Sequence, residues 1–214
     1  MEWTGRHRQM LEHIPFSDFI TPLDPVSPDV TNHVLVLLYR FEDVYDKELE
    51  NGILYLRECQ EADGAWYGRW GVNYIYGTGL VLPSLRSAGE DMNSDYIQKA
   101  ARWLLRHQNT DGGWGDSCRT YDEPGLRGRG DSTASQTAWA LLGLFATGKV
   151  RNEAVKKEIS YLMNTRQPDS SWHEEAFTGT GFPRAFYLRY DLYRMYFPLM
   201  ALARYRKAAG EAAS

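Results

Sequence analysis

The residues of this chain best suited to chemistry are aromatic. Phe182, Phe186, Tyr190, Tyr193 and Phe197 recur at spacings of 4, 4, 3 and 4, which puts all five on one face of a helix. An aromatic face stabilises a cation by roughly 0.5 to 2 kcal/mol, more when dry. By pattern alone such a stripe reads as core. His33 follows Val30 and precedes Val34, Leu37 and Leu38 at helical spacing, which predicts a histidine on a buried face, by residue type a packed one before a catalyst. Tyr76 lies in a Gly-rich stretch and reads as a packing tyrosine. Asp116-Ser117-Cys118 offers two zinc-type ligands, with His107 or His173 as a third; this is a weak pattern for a metal.

The elements that must position these groups form a repeat. Asp63-Gly64-Ala65-Trp66, Asp111-Gly112-Gly113-Trp114 and Asp169-Ser170-Ser171-Trp172 place their tryptophans 48 and 58 residues apart. Each Trp follows by eleven positions the start of an aromatic-Leu pair, Tyr55-Leu56, Trp103-Leu104 or Tyr161-Leu162. A period of this size marks stacked supersecondary units, none able to bury its apolar face alone. In each turn Asp favours the bend, Gly supplies positive φ, and Trp covers a helix end. Gln60 and Gln108, six positions before the first two tryptophans, can bond backbone groups at a neighbouring helix terminus. The third copy has serines for glycines and Arg166 for Gln, so its turn is expected to be less well formed.

Residues 1–26 read as an irregular lead-in punctuated by Pro15, Pro22 and Pro25. From Ser27, with Pro28 at the first helical position, helices are expected over about 28–38, 46–60, 80–89, 94–108, 132–146, 153–165 and 183–207. Gly68 to Gly79 is read as a connection, Trp139 as core, and no strand is found. The fold class is therefore all-α, a stack of helical hairpins over 27–214. A net charge of −4 without a Lys/Arg-rich run excludes a nucleic-acid surface. No apolar run approaches a membrane span, the start is no signal peptide, and Cys59 and Cys118 are too few for a disulfide framework. The 7 Trp, 14 Tyr and 8 Phe make up 14% of the chain, an aromatic excess that the repeats alone do not use up.

These repeats resemble the Gln-Trp motifs of triterpene cyclases, and residues 10–207 are similar to the C-terminal third of squalene-hopene cyclases. The resemblance is carried by His13-Ile14-Pro15-Phe16, Leu23-Asp24-Pro25, Asp29-Val30-Thr31, the Gly68–Gly79 block, Gly179-Thr180-Gly181-Phe182-Pro183 and Tyr193-Arg194-Met195-Tyr196-Phe197-Pro198. It implies a partial α/α barrel and an enzyme that protonates squalene and guides a carbocation through ring closures to a pentacyclic product, hopene or hopanol. It also implies that His33 and Tyr76 sit by the catalytic acid, and that Trp70, Phe182, Phe186, Tyr190 and Tyr193 stabilise cations. Trp66, Trp114 and Trp172 are implied to be structural. No metal or organic cofactor is implied; the partners are squalene or a similar polyprenyl chain and the cytoplasmic side of a membrane surface, bound peripherally.

The family's acid belongs to an Asp-x-Asp-Asp motif ahead of the His13–Phe16 stretch, and these 214 residues contain none. The chain is therefore expected to be a fragment or one part of a split cyclase, partnered by the missing N-terminal portion. Two other readings stand beside this one. One is a zinc-dependent prenyltransferase-like subunit, built on Asp116 and Cys118; the other is a non-catalytic helical-repeat module that binds lipid or a partner. Zinc content after dialysis separates the first, and squalene binding without product favours the second.

Overall fold

The structure is a computed structural model that describes residues 26–39 and 46–211. The lead-in up to residue 25, with the His13–Phe16 and Leu23–Pro25 stretches, lies outside the described residues. Seven helices and one hairpin follow: α1 (Pro28–Leu38), α2 (Asp46–Glu58), α3 (Tyr74–Ser87), α4 (Asp95–Arg106), α5 (Ala134–Ala146), α6 (Glu153–Thr165), β1 (Gly179–Phe182), β2 (Phe186–Leu188) and α7 (Tyr193–Glu211). Two short 3-10 turns, Cys118–Tyr121 and Pro124–Leu126, lie between α4 and α5.

The helices form two layers. An inner row runs α1, α3, α5, α7, each packed on the next, and α2, α4 and α6 cover it from outside. Composition explains the division. Most residues of α3 and nearly every residue of α5 are buried, as befits helices apolar on most sides, whereas α4 buries only the Ile97, Ala100, Ala101, Trp103, Leu104 stripe. Gly77 and Gly79 sit inside α3, which thus begins within the stretch expected to be a connection. These glycines serve close approach: a Cβ on Gly77 would lie 2.3 Å from the Trp66 carbonyl oxygen, and one on Gly79 2.4 Å from that of Trp139.

The three Trp turns share one mechanism. The indole N–H of Trp66, Trp114 and Trp172 donates to the carbonyl of Leu56, Leu104 and Leu162, at 2.6, 2.9 and 2.8 Å. The Leu of each aromatic-Leu pair is therefore an acceptor at the end of an outer helix, which is why the pair and the Trp keep a fixed distance. Gln60 donates to Gly64 in its own turn and to Tyr96 in α4; Gln108 donates to Gly112 and to Ala154 in α6. Each Gln thus ties one repeat to the next.

The third turn is as well formed in its backbone as the others, contrary to expectation: Ser170 N–H reaches Gln167 O at 2.9 Å, and Ser171 N–H reaches Asp169 Oδ1 at 2.9 Å. Ser170 adopts φ +68° there. A Cβ on Gly64 or Gly112 would press on backbone of Lys99 or Lys157, whereas Ser170 is exposed, so a side chain fits at the last copy but remains conformationally strained. Replacing Ser170 with glycine is expected to stabilise the chain by about 0.5 to 1 kcal/mol, measured as a higher urea midpoint with unchanged slope.

Sequence reasoning also missed a second rule. The residue two places after the second and third motif Trp caps the inner helix of the preceding unit, whereas the first copy has Gly68 there. Asp116 accepts from the N–H of Tyr74 (2.9 Å) and Ile75 (3.4 Å) at the start of α3. Glu174 accepts from the N–H and hydroxyl of Ser135 at the start of α5. Carboxylates there meet both the open N–H groups and the positive end of the helix dipole.

The last helix corrects two expectations. Residues 183–192 are not helical, and a strand pair exists: Gly179 pairs with Leu188, Thr180 with Tyr187 and Phe182 with Phe186. Val72 N–H bonds Thr178 O, and Thr180 N–H bonds Trp70 O. The segment is thus stitched to residues 70–72, and this long-range pairing, with Pro183 and Arg184 (φ +73°) in the turn, prevails over the four-residue spacing of its aromatics.

Candidate functional site

An aromatic cluster occupies one end of the inner row. Tyr76, in the first turn of α3, stands edge-on to Trp139 of α5 at 4.9 Å. Trp139 in turn meets Tyr193 and Phe197 of α7 edge-on at 5.9 and 5.4 Å. Tyr190 stacks on Tyr193 at 4.8 Å, and Tyr196 closes the group against Phe197. Such edge-to-face and offset stacking is the favoured geometry of aromatic rings.

Trp70 joins from the loop before α3 and is fixed from three directions. Its N–H donates to Asp29 Oδ2 of α1 at 2.6 Å, its carbonyl accepts from Thr180, and the Arg69 guanidinium lies 4.7 Å from its ring centre. Arg69 itself donates to Gly181 O. Gly179 permits the meeting of Trp70 with Tyr190, since a Cβ there would lie 2.9 Å from the Trp70 carbonyl and 2.7 Å from the Tyr190 ring. Trp70 and Tyr190 remain 40% and 41% exposed, each with one ring face already taken, Trp70 by Arg69 and Tyr190 by Tyr193.

The sequence-predicted residues thus divide. Trp70, Tyr76, Tyr190 and Tyr193 come together. Phe182 and Phe186 face one another in the hairpin, Phe186 against Gly181 and half exposed; with β1 and β2 in place of a helix, the five-residue stripe does not exist as one face. His33 is exposed, not buried. α1 turns Pro28, Asp29, Asn32 and Leu35 inward, because Asp29 is held by Trp70 and because Gly52 lets Leu35 seat closely, a Cβ there meeting Leu35 Cδ2 at 2.6 Å. Val30, Val34 and Leu37 consequently face out with His33. His33 lines an open groove of about 600 Å³ whose other walls include Leu80 and Ser84 of α3, Leu142 of α5 and Phe197 of α7.

Burial sets the electrostatics. It holds the Tyr76 phenol well above its ordinary range, with Asp29 and Tyr193 adding to the effect, and pushes Tyr193 up to about 12. Both are neutral hydroxyls at physiological pH. Trp139 and Thr180 each bury a polar atom with no hydrogen-bond partner among the described residues. Asp29 and Trp139 are the residues that sequence reasoning undervalued. A carboxylate in the first turn of an inner helix was the available signal for Asp29, and Trp139, expected to be core, is fully buried as well as central to the cluster.

The zinc arrangement fails on geometry. Asp116 is buried and its oxygens are taken by the N–H groups of Tyr74, Ile75 and Ser117. Burial pushes the Cys118 thiol up to about 11, away from the thiolate that a metal requires. His107 bonds Trp103 O and stacks on the Trp103 ring, while His173 is exposed beside Glu175. Among the described residues no three His, Cys, Asp or Glu side chains converge.

The family model described as squalene-hopene cyclase C-terminal domain matches residues 4–207. A squalene--hopene cyclase of Alicyclobacillus acidocaldarius is 50% identical over 198 residues, covering 92% of this chain and 31% of that protein. Dammaradiene synthase of Dryopteris crassirhizoma is 42% identical over 224 residues, covering 94% of this chain and 33% of its own length. The chain thus spans about a third of the length of the curated relatives it matches. Among solved structures, ent-copalyl diphosphate synthase from Streptomyces platensis superposes with a TM-score of 0.64 at 22% identity, over 86% of this chain and 34% of that one, a likeness of helical fold.

Proposed function

Because the chain belongs to the squalene-hopene cyclase C-terminal domain family, we propose that it supplies the aromatic wall of a partial α/α barrel in which squalene is cyclised, by isomerisation, to a pentacyclic triterpene such as hopene. The observation that carries this reading is the meeting of Tyr76 and Tyr193 on Trp139, with Tyr190 stacked on Tyr193 and the Trp70 backbone reaching the Tyr190 ring across Gly179. A carbocation cascade needs a dry enclosure, since water ends it early, and rings whose faces stabilise charge by roughly 0.5 to 2 kcal/mol apiece. Trp70 and Tyr190 each keep part of the ring exposed; Tyr76 and Tyr193 are neutral phenols and add no competing anion. Phe182 and Phe186 extend the wall along the hairpin.

In this reading His33 meets the acid from outside the chain. Its exposure on α1 suits a contact made across a boundary to the missing N-terminal portion, which would carry the Asp-x-Asp-Asp acid absent from these 214 residues. The substrate enters from a membrane surface to which the assembled enzyme attaches peripherally on the cytoplasmic side; no helix among the described residues is long and apolar enough to cross a membrane. The lack of an acid supports a second reading for the chain by itself, a non-catalytic module that holds a polyprenyl chain. Incubating the purified chain with squalene is expected to yield no cyclic product, and hopene formed by the chain alone would overturn the claim of incompleteness. Supplying the upstream portion should restore turnover, and His33→Ala in that assembly should reduce it by roughly a hundredfold, the scale of lost acid–base assistance.

A further inference from the structure

The tip of the hairpin is held by a residue in an unfavourable conformation. Arg184, in the turn between β1 and β2, adopts φ +73°, which a residue with a Cβ keeps only where its surroundings over-determine it. A turn built for stability alone would carry glycine there, as Gly64 and Gly112 do at φ +107° and +90°. Three contacts hold Arg184 instead. Its N–H donates to the Tyr187 hydroxyl at 3.0 Å, its Nε donates to the Tyr121 carbonyl at 2.9 Å, and the same Nε lies 3.3 Å from Asp122 Oδ1. The ion pair is about half exposed on both sides and contributes little by itself, whereas the bond to the carbonyl is charge-assisted and directional.

The 3-10 turn that receives Arg184, Cys118–Tyr121, is itself anchored. Tyr121 is buried, and its hydroxyl lies 2.9 and 2.8 Å from the carbonyls of Gly68 and Gly71. Thr120 accepts from the Asn73 amide at 3.0 Å. The 68–73 segment carries Trp70 and meets the base of the hairpin directly, where Thr180 N–H donates to Trp70 O and Arg69 to Gly181 O. Residues 68–73, 118–122 and 178–187 thus close a ring of hydrogen bonds, with Arg184 as the link at the hairpin tip. Tyr187 Oη and Cys118 O, at 3.4 Å, are too far apart to replace that link. Resting on the reading above, we propose that Arg184 is a positioning residue: it fixes Phe182 and Phe186, each two places away, relative to Trp70, and thereby decides how far ring closure runs before the cation is lost. A ring stabilises a cation only within about 6 Å of its centre. A misplacement of about 1 Å costs on the order of a hundredfold in rate.

The test is Arg184→Gly, which removes the guanidinium and relieves the backbone in one step. In the full 214-residue chain, hydrogen exchange followed by mass spectrometry should show peptides covering 68–73 and 178–188 exchanging about tenfold faster or more. Peptides of α5 should exchange as in the parent, and the urea midpoint should not drop. In the assembly with an upstream portion, the same variant should shift products toward partly cyclised hydrocarbons and lower kcat by about tenfold, with KM for squalene little changed. Arg184→Lys, which restores a cationic donor, should recover most of both effects. Hairpin exchange left unchanged by the glycine variant overturns the proposal, and so does faster exchange accompanied by the parent's product profile. So does a loss of stability throughout the chain, the mark of a residue that only supports the fold. A parent assembly that binds squalene and forms no triterpene refutes the catalytic reading, whereas the exchange result still decides whether Arg184 holds the hairpin.

Discussion

Replacing Asp116 with alanine should cost the chain about 3 kcal/mol, seen as a drop of roughly 10 °C in melting temperature for a domain of this size and as a lower urea midpoint with unchanged slope. The buried carboxylate satisfies three backbone N–H groups, of Tyr74, Ile75 and Ser117. Two of these open α3, the helix that carries Tyr76 and packs on both α1 and α5. Loss of a helix cap costs about 1 to 2 kcal/mol, and each N–H left buried without a partner adds about 1 kcal/mol or more. Asn at the position keeps an acceptor oxygen and should lose about half as much. Equal stability of the alanine variant and the parent would show that α3 does not depend on this cap.

Glu158 should give the opposite result. It lies on the inward stripe of α6 with Val155 and Leu162, fully buried, and neither carboxyl oxygen has a hydrogen-bond partner among the described residues. Burial raises its pKa well above the ordinary carboxylate range. An acid with a raised folded-state pKa contributes its stability below the unfolded value near 4 and loses it as pH rises. Glu158→Met, which removes the charge and fills the space with a flexible apolar chain, should therefore stabilise the fold by about 2 kcal/mol at neutral pH. Its advantage over the parent should grow between pH 4 and pH 8. Glu158→Gln separates charge from polarity: it should match the parent near pH 4 and exceed it at pH 8. A pH-independent difference between parent and Gln variant would mean that Glu158 is not ionised against a cost.

The stability effects of Asp116 and Glu158 bear on how much of the protein could be read beforehand. Neither residue belongs to a pattern of apolar spacing. Asp116 looked like half of a metal site because sequence shows which residues are neighbours in the chain, not which backbone N–H groups arrive from 42 positions away. Glu158 sits in a helix whose stripe was legible, but a stripe does not reveal whether its one acid has a partner.

The chain's repeats, the helix order, and the identity of Trp66, Trp114 and Trp172 as structural plates were determined by sequence, because they rest on local spacing and on turns of a few residues. The family resemblance singled out Trp70, Tyr76, Phe182, Phe186, Tyr190 and Tyr193, of which Tyr76, Tyr190 and Tyr193 share ring contacts in the cluster. Tertiary structure decided three things. It made 179–188 a hairpin, since pairing to Trp70 and Val72 outweighs a four-residue aromatic period that strand and helix can both accommodate. It turned His33 outward, since α1 has two candidate stripes and only the partners Trp70 and Gly52 select between them. And it assembled the aromatic cluster around Trp139, a contact among residues from Tyr76 to Phe197, 121 positions apart along the chain, which depends on how α3, α5 and α7 pack side by side and is written in no single segment.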